Sequence, residues 1–373
     1  MATTEPTKTT INDQLRDEAI AHALFVALYG NGIAIKMIDL LNDADALLSA
    51  ELLEVLDGVD ASTYSEKRLA SLLASVRALN GRSYKPVLKA LDRELVAFAE
   101  HEAGYQFDLF NQLLPDVVLK HVALQAITPD QVYAAAASRP FQGRLLSEWG
   151  KKLEADRLTK ITNAVRMGYL MGETTEQITR RVVGTKAANR EDGAIQENRR
   201  NLAAVTRTAV AHVASTARQS LATSNSDIVK GKQWLSTLDT RTTTICIVRD
   251  RLKYTLDGKP IGHNVPYLRG PGRAHFCCRS TETLILKSWR EMGIPVDEMD
   301  AGTRASMDGQ QPGNTTYGEW LQRQPFNRQK AVLGLKRAQL LRDGKLKVPD
   351  FFNDRGEFLT LDQLRELEPR AFS

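Results

Sequence analysis

The chain is poor in several things, and each shortage narrows its function. Its 373 residues include only three cysteines, two of them adjacent, Cys277 and Cys278. Three thiols do not build a disulfide framework, and adjacent ones bridge only with strain, so reduced cysteines are expected. Aromatic residues make up 6%, while Ala and Leu abound in the first 225 residues, which favours helix. No apolar run approaches the roughly 20 residues that cross a bilayer, so no membrane-spanning segment is expected. The start, Met1-Ala-Thr-Thr-Glu-Pro-Thr-Lys8, lacks the apolar core of a signal peptide and reads as a disordered leader over residues 1–12. A protein made and kept in a cytoplasm is the expectation.

What is present describes a soluble globular chain, with 42% hydrophobic and 25% charged residues. The length predicts two or three domains. A net charge of +5 is small, but it is unevenly spread. Residues 1–60 carry Lys8, Arg16 and Lys36 against eleven carboxylates, a net of −8. Residues 241–290 carry ten Lys and Arg against Asp250, Asp257 and Glu282, a net of +7. The basic part is the candidate for polyanions, the alternative being two modules that dock on each other or stay solvated.

Helical spacing recurs from 13 to 226, in Ala19, Ala23, Leu24, Ala27 and Leu28 and again in Ile35, Met37, Ile38 and Leu41. Gly30-Asn31-Gly32 and Asn80-Gly81 predict breaks, as does Leu114-Pro115. Thr174 with Gln177 is a capping-box pattern that starts a helix over Thr175 to Val183. From Ile228 the pattern alternates: Val229 to Trp234, Thr242 to Val248 and Leu284 to Leu286 predict strands. Helices are predicted over Thr315 to Gln322, Asn327 to Leu341 and Leu361 to Leu367, with a short strand at Val348 to Phe352. The fold class is α+β: a mostly helical N-terminal two thirds, then a small α+β domain with a short sheet. The expected divisions are a helical domain over 13–140, a helical hairpin region over 141–226 and the α+β domain over 227–373.

Trp234 to Ser280 concentrates chemistry, holding all three cysteines and two of the six histidines in 47 residues. It runs through Asp239-Thr-Arg241-Thr242, Cys246 and Asp257-Gly258 to His275-Phe-Cys277-Cys278-Arg279. This order resembles the phage Mu F-like minor head proteins, the head-morphogenesis family of tailed bacteriophages. That pattern places Trp before Asp-x-Arg-Thr, then Cys-x-x-Cys, Asp-Gly and a closing His-Pro-x-Cys-Arg-Cys. Thr243 stands at the first cysteine, Phe276 at the proline and Ser280 at the last cysteine, while Cys277 is an addition. The resemblance extends upstream through Gly172 to Ile178 and the Arg207-Thr208 helix. Downstream it takes in Met307-Asp-Gly, Tyr317 to Gln324 with Trp320, and Leu359 to Leu364. It covers about 140 to 370 and leaves 1–140 unmatched.

The family's cysteines and histidine suggest a zinc knuckle. Cys246, His275 and Cys278, with Cys277 or His263, offer four soft ligands for tetrahedral zinc; the alternative is packing and hydrogen bonding. Nucleophilic catalysis would need a thiolate beside a base, and no oxyanion-forming Gly motif accompanies Cys277 or Cys246. Asp239 and Arg241, two apart, share a face on a strand and can pair; with Arg207 they would form a buried polar cluster at the helix-to-sheet junction. Arg249, Arg251, Lys253, Arg269, Arg273 and Arg279 are the candidates for holding DNA phosphates without sequence readout. Tyr317, Trp320, Leu321, Leu333 and Leu335 read as a small core.

The resemblance implies a structural virion protein with no catalytic residues. Such a protein sits in few copies at the portal vertex inside the capsid and acts in head assembly and DNA packaging or ejection. Its implied partners are the portal protein, packaged double-stranded DNA, other virion proteins and copies of itself. The rival expectation is a nuclease-like enzyme or toxin built on the same module around His275, Arg241 and Asp239.

Overall fold

The computed structural model describes residues 10–57, 66–185, 187–188, 190–293, 303–306, 309–312, 315–353 and 356–372. Of the expected leader, only Thr10 to Asn12 are described, and Ile11 already begins a helix. Met307 and Asp308, quoted for the downstream resemblance, lie outside the described residues.

The α+β class holds, with long helices followed by a small antiparallel sheet. The chain runs through α1 (Ile11–Asp57), α2 (Glu66–Leu113), α3 (Asp116–Leu119), α4 (Pro129–Ser138), α5 (Leu146–Leu170), α6 (Thr175–Val183) and α7 (Gln196–Ser224). It continues through β1 (Val229–Leu235), α8 (Thr244–Ile247), β2 (Lys253–Tyr254), β3 (Pro260–Ile261), β4 (Thr281–Leu286), β5 (Thr303–Ser306) and β6 (Gly309–Pro312). The last elements are α9 (Tyr317–Gln322), α10 (Phe326–Leu333), α11 (Leu335–Arg342), a 3₁₀ turn (Val348–Phe351) and α12 (Leu361–Leu367).

These elements form two compact units. One comprises Met1–Ala27, Ala99–Val132 and Ala211–Ser373; the other, Leu28–Phe98 and Tyr133–Val210. The expected boundaries at 140 and 226 ran along the sequence, whereas each unit is assembled from separate stretches, because α1, α2 and α7 each contribute to both.

Two expected breaks are absent. Helix α1 runs unbroken through Gly30-Asn31-Gly32, and α2 through Asn80-Gly81. Each glycine costs about 1 kcal/mol in a helix. Burial of Ile33, Ala34, Met37 and Leu41 on the next turns outweighs that. Asn80 is held by its side-chain amide, which donates to the Glu154 carbonyl at 3.3 Å. Helix α1 also corrects the reading of apolar runs, since one of its windows, of mean hydropathy 1.6, is long and apolar enough to cross a membrane by length and composition. A third of that window is buried.

In the second unit, Leu52 and Leu56 of α1, Val76 of α2, Ile161 of α5, and Ile178 and Val182 of α6 share a core. The predicted Thr174–Gln177 capping box starts α6. Asp45 sits at a buried polar centre, accepting from Arg157 and Arg199.

In the first unit the sheet order is β3-β2-β1-β4, all antiparallel, with Trp234 opposite Glu282 and Lys232 opposite both Leu284 and Tyr254. The strand predicted over Thr242 to Val248 is instead a loop and the short helix α8. Local hydrogen bonds overrode β-propensity there: the Asp239 carboxylate accepts from the Arg241 N–H at 3.0 Å and from the Thr242 hydroxyl at 3.1 Å, which turns the chain. The predicted strand at Val348 to Phe352 is the 3₁₀ turn, with Phe352 alone bridging to Phe358. Tyr317, Trp320, Leu321 and Leu333 do lie in one core with Phe351 and Leu364. Leu335 does not. Gly334, at φ +77°, divides the helix predicted over Asn327 to Leu341 into α10 and α11, leaving Leu335 exposed at the start of α11.

Candidate metal centre

Beyond β1 the chain folds back over its own sheet. The Ser236 N–H donates to Asp250 Oδ1 at 2.8 Å, and the Ser236 hydroxyl donates to the Cys246 carbonyl at 2.6 Å, which seats α8 beside the strand end. Asp250 also accepts from the Tyr317 N–H at 2.8 Å, tying α9 to the same place. Trp234, fully buried, packs with Cys246, Tyr254, Tyr267 and Cys278. Arg249 lies over the Trp234 ring and donates to the Pro266 and Ile245 carbonyls.

On this platform the ligand atoms of Cys246, His275 and Cys278 lie within 4.8 Å of one another. Cys246 arrives on α8, and the other two on the loop that leads into β4. Cys246 Sγ is 3.3 Å from His275 Nε2 and 3.7 Å from Cys278 Sγ. The Gly272 N–H donates to Cys278 Sγ at 3.3 Å. Gly272 is at φ +80°, and a Cβ there would come within 3.1 Å of the Ala211 carbonyl oxygen, so glycine is required for this approach. His275 Nδ1 is 2.9 Å from the Phe276 carbonyl. A carbonyl only accepts, so Nδ1 carries hydrogen and Nε2 is left as the lone pair facing the sulfurs, the tautomer that metal-bound histidines adopt.

The three groups also shift one another's protonation. The hydrogen bond to Cys278, together with burial, holds the Cys246 thiol well above its ordinary value. That same bond holds Cys278 well below it against burial, helped by His275 and the Gly272 N–H. Burial works against charge on His275, but its contact with Cys278 outweighs this and raises its pKa.

The donor set fits zinc at three corners. Bonds of about 2.3 Å at tetrahedral angles put two sulfurs about 3.8 Å apart, close to the 3.7 Å separation here. Cys246, His275 and Cys278 would hold the ion, and its contribution would be to lock α8 to the loop before β4. Two hydroxyls converge on the same point. The Thr243 hydroxyl is 2.9 Å from His275 Nε2, and the buried Ser280 hydroxyl hydrogen-bonds Cys246.

Comparison with protein-family models, curated proteins and solved structures finds no match.

The other predicted site residues sort by burial. Cys277, at φ +55°, is exposed while its neighbour Cys278 turns inward, so the two adjacent thiols do not share a centre. His263 Nε2 instead donates to the Lys253 carbonyl at 2.9 Å. Asp239 pairs with neither Arg241 nor Arg207. It accepts two bonds from Arg279, Nη2 to Oδ1 at 2.9 Å and Nη1 to Oδ2. Arg241 is exposed, and Arg207 belongs to the second unit, where its Nε donates to Asn31 at 2.7 Å. Strand geometry would have paired Asp239 with Arg241, but the segment is a turn.

The six expected phosphate ligands do not form one solvent face. Arg249 and Arg273 are buried, Arg273 donating to Gln219 at 2.7 Å and to the Arg269 carbonyl. Arg279 is ion-paired and Arg251 half-buried, which leaves Lys253 and Arg269 exposed. Sequence reading missed Ser236, Asp250 and Gly272. Of these, only Gly272, within Gly270-Pro-Gly272, carried a visible signal of close backbone approach.

Proposed function

We propose that this chain is a structural minor head protein of a tailed bacteriophage, held at the portal vertex inside the capsid. Its roles would be in head morphogenesis and in packaging or ejection of DNA. One observation carries the reading. Residues that match the Mu F-like pattern in two segments some thirty positions apart meet at one braced junction, with Trp234 beneath, Cys246, His275 and Cys278 at its centre and Asp239–Arg279 at its edge. A pattern that folds into one contiguous cluster is what a shared scaffold produces. The same residues argue for bracing over catalysis, because the Asp239 oxygens are taken up by Arg279, the Arg241 N–H and Thr242.

In this reading the partners are the portal protein, other virion proteins or copies of itself, and packaged duplex DNA. Mass spectrometry of purified phage particles tests it, together with co-purification of the chain with the portal protein of the same phage. Absence from particles and failure to bind portal would sink it. The enzyme reading makes the opposite forecast, magnesium-dependent DNA cleavage that His275→Ala abolishes.

A further inference from the structure

Helix α2 carries a surface that charge counting along the sequence does not reveal. Arg82, Lys85, Lys89 and Arg93 are all exposed and follow at intervals of three, four and four residues, so they stand in one row. At 1.5 Å per residue the row is about 16 Å long, with neighbouring cations about 5–6 Å apart. Together with Pro86 and Asp92 they line an open cleft of about 470 Å³. The nearby carboxylates are engaged: Asp92 accepts the Tyr133 hydroxyl hydrogen, and Glu51 pairs with Arg82. Among the described residues, none of Lys85, Lys89 and Arg93 is ion-paired.

Apolar side chains are nearly missing from this face. Pro86 alone stands within the row, and Val96, 44% exposed, comes just beyond it. A stable protein interface needs a desolvated apolar centre, which this face lacks. Three unspent cations, Lys85, Lys89 and Arg93, in a regular row beside the exposed Arg82–Glu51 pair suit a polyanion with regularly spaced charges.

We infer that the row Arg82, Lys85, Lys89 and Arg93 is the surface by which this chain holds the phosphate backbone of duplex DNA, without reading its sequence. The choice of duplex DNA as the source of phosphates rests on the head-protein reading; the surface itself does not. The assignment moves the polyanion contact from the basic segment at 241–290, where Arg249, Arg273 and Arg279 are spent internally, to a helix in the other unit.

Fluorescence anisotropy of the full chain with a short labelled mixed-sequence duplex tests this between about 50 and 200 mM salt. Binding should weaken along a log–log slope of about −3 to −4, for three or four phosphates neutralised. The triple variant Lys85→Glu, Lys89→Glu, Arg93→Glu should lose affinity at least about tenfold and flatten that slope by about 3. Lys253→Glu with Arg269→Glu should change neither. All five positions are exposed, and an unchanged circular dichroism spectrum certifies the fold. A triple variant that binds like the parent overturns the inference. So does displacement of the duplex by a polyglutamate peptide at equal charge, which would make an acidic protein the partner. Absence of the chain from phage particles would sink the head-protein reading and leave a positive binding result standing.

Discussion

Arg279 closes on Asp239 across forty residues of sequence, its Nη2 2.9 Å from Oδ1 and its Nη1 on Oδ2. The pair joins the turn after β1 to the start of β4, and the Thr237 hydroxyl adds a bond to the Arg279 carbonyl at 3.0 Å. Fork-to-carboxylate geometry of this kind fixes direction as well as distance.

This pair makes stability fall in acid. Burial pushes the Asp239 carboxyl up, but Arg279, the Arg241 N–H and Thr242 together bring it below its ordinary value. A depressed carboxyl contributes stability that is fully present above its unfolded pKa of about 4 and is lost as pH falls through the lower folded value. Asp239→Asn should cost about 1–2 kcal/mol at pH 7, a figure held down by solvent screening of the part-exposed Arg279, and much less well below pH 4. Thermal unfolding at the two pH values measures this; equal losses at both would refute it.

If Cys246, His275 and Cys278 hold a metal, a hierarchy among the cysteines follows. Cobalt titration followed by its thiolate absorption should give one site per chain in the parent and in Cys277→Ser. Cys246→Ser and Cys278→Ser should abolish it. Thr243→Cys, placing a thiol where a hydroxyl now stands 2.9 Å from His275 Nε2, should tighten binding by supplying a fourth soft ligand. If Cys277→Ser matched Cys246→Ser, the assignment of ligands would fail.

In the second unit, the Asp45 carboxylate accepts from two buried arginines, Arg157 and Arg199. Asp45→Ala strands those charges, and breaking buried pairs this way costs about 3–5 kcal/mol. Chemical denaturation should register that loss, whereas Arg82→Ala on an exposed pair should cost less than about 1 kcal/mol.

Trp320 is buried with Tyr317, Leu321 and Phe351. Trp320→Ala should cost about 3–5 kcal/mol, with the cavity left behind adding to the lost transfer energy. Trp320→Phe, which keeps most of the apolar contact, should cost clearly less, with scanning calorimetry of both variants as the measurement.

Much of this protein was legible in the residues themselves. The capping box at Thr174, the strand predicted over Val229 to Trp234 and found as Val229–Leu235, and the core around Trp320 all follow from local periodicity and side-chain chemistry. The convergence of Cys246, His275 and Cys278 was suggested by residue type, because few other side chains are soft donors. Other features depended on partners far away in sequence. Glycines at 30, 32 and 81 do not break their helices, because burial of neighbouring turns exceeds their propensity cost. Asp239 chooses Arg279 over Arg241, since a turn, not a strand, orients its carboxylate.

Composition and local pattern, then, determined helix, strand, cap and the choice of candidate ligands, all short-range properties of the chain. Tertiary structure alone decided which cations face solvent. Ten Lys and Arg in 241–290 looked like the polyanion surface, yet burial spends several of them on carbonyls and Asp239, while four on α2 within an otherwise acidic region stand in an exposed row. Charge can be counted along a sequence, but its availability depends on what the fold places beside it.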